Sequence, residues 1–251
     1  MVVLSGASST PALSHAALDR LAAGWQAIDR ILVAICPGNR APRGLSVMRA
    51  ILSYVGQPVR VFRDGGWQAA AGWGSTRRLD IPGLGVRLAS LCETPDLDLL
   101  VTRFAPRESA EFLAGLELGF LHRGLAAAGL LVRLGLLRSL EPCARWFYMV
   151  ANLFEPFGSD RGGMLAAIDG IDAEGRPAAA RWVLRATGGR GPFVPTLPAL
   201  ALVRRLRDGP AIGPGARPCV GILTLDDFAQ DFARLGIETE TLGCGGRLCC
   251  G

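Results

Sequence analysis

Apolar positions in this chain switch between two periods. Val2, Val3 and Leu4 run into a small-residue loop, Ser5-Gly6-Ala7-Ser8-Ser9-Thr10-Pro11. A helical pattern follows from Ala12 to Trp25 through Leu13, Ala16, Ala17 and Leu21, and Asp29 to Ile35 is a mostly apolar run of strand length. Strand, helix and strand with short links predict a βαβ unit whose two strands are parallel. A loop at the carboxyl end of such a strand is where α/β proteins hold ligands.

Beyond the Pro/Gly-rich loop Cys36-Pro37-Gly38-Asn39-Arg40-Ala41-Pro42-Arg43-Gly44, Ser46 to Val55 reads as a helix. Val59 and Val61, then Trp67, Ala69, Ala71 and Trp73, alternate around Asp64-Gly65-Gly66, which predicts a hairpin. Val86 to Leu91 and Leu97 to Phe104 read as further strands. Ala110 to Leu118 also alternates, with Ala110, Phe112, Ala114, Leu116 and Leu118 on one face and Glu111 and Glu117 on the other. A helix competes for that segment, because Glu, Leu and Ala favour helices. Phe120 to Leu137 and Glu141 to Phe154 are expected helices, and Met164 to Ile171 with Ala178 to Ala186 a second hairpin. A helix over Leu197 to Arg207 has Thr196 as its expected N-cap and Pro198 in its first turn. A last one, Leu225 to Leu235, carries Asp226 and Asp227 where the helix dipole favours acids. The fold class is therefore α/β with an α+β body: a partial Rossmann-type βαβ, then a mixed, largely antiparallel sheet with flanking helices.

Composition narrows the partners. Half of the 251 residues are apolar, enough for a sizeable core. The net charge is +5, and all 27 basic residues are arginines spread along the chain. Nucleic-acid binders cluster their basic residues or interleave them with aromatics, so no nucleic-acid partner is expected. Phe112 to Leu140 is the most apolar region, but Glu117, His122, Arg123, Arg133 and Arg138 interrupt it. A spanning helix needs about 20 mostly apolar residues in a row, so no transmembrane segment is expected. The seven cysteines are odd in number and irregularly spaced, and no secretory signal precedes them. A reducing compartment, the cytoplasm, follows, with Cys36, Cys92, Cys143 and Cys219 as buried free thiols.

The chemistry-bearing motifs are incomplete. Gly6-Ala7-Ser8-Ser9-Thr10 has threonine where a nucleophile elbow needs its second glycine, and His15 and His122 are the only histidines. Gly6 stands alone, so Gly-x-Gly-x-x-Gly is absent, and a chain without lysine has no Walker A loop. What remains is a loop whose amides and three hydroxyls could donate to a polar ligand at a helix start, or a plain strand-to-helix turn. Cys244, Cys249 and Cys250 lack histidine and C-x2-C spacing, so no metal site is expected. Arg40, Arg43, Arg190 and Arg217 lie in loops beside glycine or proline, where anion-binding arginines and ordinary surface arginines both occur.

Five stretches together resemble a known family. They are Ser5 to Ser14, Pro37 to Gly44, Ala114 to Leu118, Gly191 to Pro195 and Gly215 to Gly221. Their pattern is similar to saccharopine dehydrogenase-like oxidoreductases, over nearly the whole chain up to Thr239, and closer to a bacterial branch than to the lysine-pathway enzymes. The resemblance implies NAD(P) as cofactor, hydride transfer with a small-molecule substrate, and a substrate domain that often forms a homodimer. It places Gly6, Ala7, Ser8, Ser9, Thr10 and Pro11 by the nicotinamide end of the cofactor. The substrate would meet Asn39, Arg40, Arg43 and Arg190. The family's Pro-Gly is Pro11-Ala12 here, and its N-terminal βαβ with the glycine fingerprint is absent. The expected organisation is then a remnant of a dinucleotide-binding domain over 1–36 and a substrate and dimerisation domain over 37–223. A C-terminal helix and extension over 224–242 and a disordered Cys/Gly tail over 243–251 complete it. The alternative is a non-catalytic remnant that serves as a dimerisation or apolar-ligand-binding module.

Overall fold

The computed structural model describes residues 1–209 and 212–245. In chain order the strands are β1 (Val2–Ser5), β2 (Ala27–Cys36), β3 (Pro58–Arg63), β4 (Gly66–Ala71), β5 (Arg77–Ile81), β6 (Gly85–Leu91), β7 (Ser109–Leu116), β8 (Gly162–Ile171), β9 (Pro177–Ala186), β10 (Gly215–Pro218) and β11 (Glu238–Gly245). The helices are α1 (Ser14–Ala22), α2 (Leu45–Tyr54), α3 (Asp96–Phe104), α4 (Gly119–Arg133), α5 (Ala144–Leu153), α6 (Leu197–Asp208) and α7 (Ala229–Leu235).

Nine strands form one mixed sheet in the order β11-β9-β8-β2-β7-β3-β4, with β6 also paired to β7 and β5 to β6. At its centre β2 is parallel to β7 and antiparallel to β8. The expected class, a mixed sheet with flanking helices, is what the chain forms. Both faces of β2 are buried, which is why its sequence is a near-continuous apolar run. Ile31 and Val33 join a core with α1, α3, α6 and α7, while Leu32, Ala34 and Cys36 join Val59, Val61, Leu79, Ile81, Ala89 and Leu91 of the outer strands. A third cluster ties α2, α4 and α5 together around Trp73.

Several expectations change. β1 and β2 are not parallel partners: β1 pairs in parallel with β10 in a separate two-stranded sheet, and β2 belongs to the main one. Leu97 to Phe104 is helix α3, because Leu97, Leu100 and Val101 pack at helical spacing and Asp96 and Asp98 occupy its first turn. The short strand β5 was not foreseen. Glu111 does not face solvent. It is buried on the second core face of β7 and bonded to Arg63 and Arg77. Thr196 precedes α6 but makes no side-chain cap; its hydroxyl donates to the Phe193 carbonyl. Cys36 and Cys219 are buried, Cys92 is half-buried and Cys143 is exposed. Gly243 to Gly245 are paired with β9 as the end of β11, and the rest of the expected tail, 246–251, lies outside the described residues.

The hairpins at β3/β4 and β8/β9 form as expected. The expected helix from Leu225 to Leu235 divides into a 3-10 turn, Leu225–Phe228, and α7; the acids Asp226 and Asp227 lie in the turn, where Thr224 and Asp227 make a reciprocal capping box. Gly56 shows how closely the helical layer sits: at φ 77°, a side chain there would run into the Gly129 carbonyl of α4.

Candidate functional site

A cavity of about 690 Å³ lies between the carboxyl end of β2, the start of β8, the end of β9 and helices α2, α4 and α5. It is open to solvent and its walls are mostly apolar. β2 contributes Ile35, β8 Met164 and β9 Leu184. The helices add Met48 and Ile51 from α2, Leu125 and Ala128 from α4, and Phe147 and Val150 from α5. Large apolar walls with a few polar groups are the usual form of a small-molecule site.

Three polar residues carry functional side chains on this wall: Ser9, Arg43 and Asp160. Ser9 arrives on the opening loop. Gly6 takes φ 71° and Pro11 folds against it, so a Cβ at Gly6 would collide with the proline ring. The loop then enters α1 through one π-type turn, Ser9–Leu13, kinked at Thr10. The kink means that this loop does not present a straight helix N-terminus to a ligand. Ser9 is buried on the cavity wall, Gly6 is exposed, and Ala7, Ser8 and Thr10 are half-buried.

The Pro37-to-Gly44 loop forms the neighbouring wall. Pro37, Gly38, Ala41, Pro42 and Arg43 line the cavity. Arg43 donates to the Asn39 backbone carbonyl and, at 3.1 Å, to Asn39 Oδ1. Burial pulls its pKa down, and nearby Glu155 opposes that pull. Asn39 itself is spent on structure: its amide N–H donates to Glu117 Oε2 at 2.7 Å and its Nδ2 to the Phe154 carbonyl at 2.8 Å. Arg40 is exposed and donates to the Pro156 carbonyl at 3.1 Å. Arg190 is exposed at the start of the 191–196 turn; Gly191, Pro192, Val194 and Pro195, but not Arg190, reach the wall. Of the four expected substrate contacts, then, Arg43 alone lines the cavity, as does Ser9 of the expected cofactor loop.

Two groups were not visible in the sequence. Glu117, expected on the face of the strand opposite Phe112 and Leu116, clamps the loop. It accepts from the Asn39 and Ser159 amides at 2.7 and 2.8 Å and from the Ser159 hydroxyl at 2.5 Å, with Arg87 at 3.4 Å. Burial pushes its carboxyl pKa up, but these bonds more than offset that and hold it below the usual range. Asp160, half-buried, is the one carboxylate on the cavity wall among the described residues. Its Gly158-Ser159-Asp160-Arg161-Gly162 setting looks like any polar turn until the fold brings it to Arg43's cavity.

Neither histidine reaches the cavity wall. His15 is buried on α1 beside Asp96 of α3, at 3.1 Å, and His122 is buried on α4 with Ser90 Oγ 2.8 Å from its Nε2. Among the described residues no helix is long and apolar enough to cross a membrane.

No protein-family model matches the chain, and no curated protein sequence is detectably similar to it. Among solved structures the chain is similar to the apo, histidine-tagged saccharopine dehydrogenase (L-Glu forming) of Saccharomyces cerevisiae. The TM-score is 0.65 at 10% identity, and the match covers 94% of this chain and 73% of the yeast one. At that identity the likeness concerns architecture alone. Over nearly its whole length the chain has a saccharopine dehydrogenase-like fold.

Proposed function

We propose that this chain is the substrate-holding part of an oxidoreductase that exchanges hydride between NAD(P) and a substrate with an apolar body. The observation that carries the reading is that Ser9 and Arg43, one from each loop, both line a cavity whose remaining walls, Asp160 apart, are apolar. The small-residue loop suits the approach of a flat, polar nicotinamide, because the Gly6–Pro11 contact keeps it low and Ser9 adds a hydroxyl at the wall. A pyrophosphate would need paired glycines at a helix start, and Gly6 has none beside it. Only the reactive end of the cofactor fits this loop.

The cofactor supplies the hydride when bound; the protein positions and polarises. Arg43 can orient a carbonyl or carboxylate at the polar end of the substrate, the apolar helices exclude water from its body, and Asp160 can hold or deliver a proton there. With its two histidines buried elsewhere and no lysine, this chain offers Asp160 as the ionisable acid for that task.

The test uses reduced nicotinamide mononucleotide, the reactive half of the cofactor, titrated into the isotope-labelled chain. Amide shifts are expected at Gly6 to Thr10 and in the Pro37-to-Gly44 loop. Silence there at millimolar ligand would remove the reading. The second reading, a non-catalytic apolar-ligand module, is favoured by the sparse polar lining; it predicts binding of an apolar probe with no response to the nicotinamide compound.

A further inference from the structure

The helical layer that walls the cavity also presents an apolar surface to solvent. On α4, Phe120, Leu130, Leu131 and Leu134 are exposed on the side away from the buried Leu125 and Val132. The turn that follows carries Leu136 and Leu137, and Leu134 and Leu136 are 64% and 68% exposed. On α5, Trp146, Met149 and Leu153 share one face at helical spacing, and each is at least 66% exposed. Phe157 continues that face at 73%. Scattered exposed apolar residues are ordinary, but so many large ones from two adjoining helices and their turn mark a docking surface.

The charges around it select the partner. Arg123, Arg133, Arg138 and Arg145 are all exposed, and none forms an ion pair among the described residues. Over residues 119–157 these four arginines face only two carboxylates, Glu141 and Glu155. A second copy docked on this face would double an uncompensated positive charge, four arginines against two glutamates on each copy, within one interface. An anionic lipid surface matches both features: leucines, a tryptophan and a methionine enter the boundary between headgroups and acyl chains while the arginines meet headgroup phosphates. Phe120 and Trp146 are exposed and also belong to the cavity wall, so the cavity reaches this same face. From all of this we infer that the α4–α5 face is an interfacial docking surface for anionic lipid membranes, with the cavity mouth turned toward the bilayer. It stands apart from the hydride-transfer reading, because vesicle binding needs no cofactor.

Vesicle flotation at low salt tests it. The probes are phosphatidylcholine vesicles with about 30% phosphatidylglycerol, against pure phosphatidylcholine. The chain is expected to float with the anionic vesicles and to release as salt rises. Two double variants, Leu134→Ser with Leu136→Ser and Met149→Ser with Leu153→Ser, change exposed side chains that do not line the cavity; each should weaken binding by about tenfold. Arg133→Glu with Arg138→Glu should weaken binding to anionic vesicles and leave neutral ones unchanged, a readout that does not depend on the apolar variants folding. Failure of the wild-type chain to float, or flotation indifferent to all three variants, would overturn the inference. So would light scattering that shows a stable dimer, dissociated by the same leucine substitutions, in a chain that ignores vesicles.

Discussion

His15 Nε2 lies 3.1 Å from Asp96 Oδ1, and both side chains are wholly excluded from solvent. The pair joins α1 to α3 across 81 residues of sequence. Ser14 Oγ sits 3.0 Å from Asp96 Oδ2, and Arg103 Nη1 lies 3.4 Å from His15 Nδ1 while its Nη2 donates to Asp19 at 2.8 Å. Removing Asp96 leaves His15 Nε2 buried with no carboxylate beside it, while Ser14 Oγ keeps only the Pro11 carbonyl at 3.0 Å. Asp96→Ala should therefore cost about 3 kcal/mol or more. In a cycle with His15→Ala, the double variant should cost at least about 1 kcal/mol less than the sum of the singles. Urea midpoints of the four proteins measure both; additive losses would mean that the two residues do not act as a unit.

His122 gives the fold a dependence on pH. Burial first, and then Arg123, lower its pKa from 6.5 to about 4. Its Nδ1 has no hydrogen-bond partner among the described residues, and Trp73 lies against the ring with centroids 5.1 Å apart. A base with a depressed folded-state pKa contributes its full stability above its unfolded value. That contribution is lost as pH falls from about 6.5 through about 4, because only the unfolded chain takes up the proton in that window. The loss amounts to roughly 3 kcal/mol. His122→Gln should flatten the fall in urea midpoint between neutral pH and the lower end of that window; an equally steep fall in the variant would place the sensitivity elsewhere.

Glu117 governs the cavity's loop. Glu117→Ala removes the acceptor of two backbone amides and one hydroxyl, at a cost of about 2 kcal/mol. The depressed carboxyl pKa sets the sign of its pH effect: its contribution is present above the ordinary glutamate range and lost as pH drops below it. Hydrogen exchange should quicken at Asn39 and Ser159 in the variant while Ile31 and Val33, in β2, stay protected. Unchanged exchange at Asn39 would show that the clamp is not what orders this loop.

What the sequence could and could not convey follows from which interactions are local. The β3/β4 and β8/β9 hairpins were legible because alternation and turn residues are neighbours in the chain. Leu97 to Phe104 misled because a short apolar run fits either period, and the deciding facts, burial of Leu97 and Leu100 on one side, are tertiary. Alternation placed Glu111 opposite Ala110 and Phe112 but could not show that this second face of β7 is buried, with two arginines of the outer strands supplied over it. The pairing of β1 with β10 spans more than 200 residues and leaves no local trace. The site was legible in part. The two loops that stand out as glycine- and proline-rich do converge on the cavity, through Ser9 and Arg43. Asp160 and the Glu117 clamp were hidden, since each depends on which chain segment the fold lays beside it.

Gly124 separates the cavity from the surface around it. It sits inside α4 on the cavity wall, is exposed, and apart from its chain neighbours and its own helix backbone has no atom within 4 Å of where a Cβ would stand. Leucine there adds volume toward the cavity and replaces the poorest of the ordinary helix formers with one of the best, a gain of up to about 1 kcal/mol. Gly124→Leu should thus keep or raise the urea midpoint while lowering affinity for an apolar fluorescent probe such as anilinonaphthalene sulfonate by about tenfold, since the occluded volume is volume the ligand needs. Vesicle flotation should persist, because the docking leucines and arginines are untouched. If probe affinity held while the midpoint rose, the probe would be reading the exposed helical face rather than the cavity, and the small-molecule site would have to be sought away from this wall.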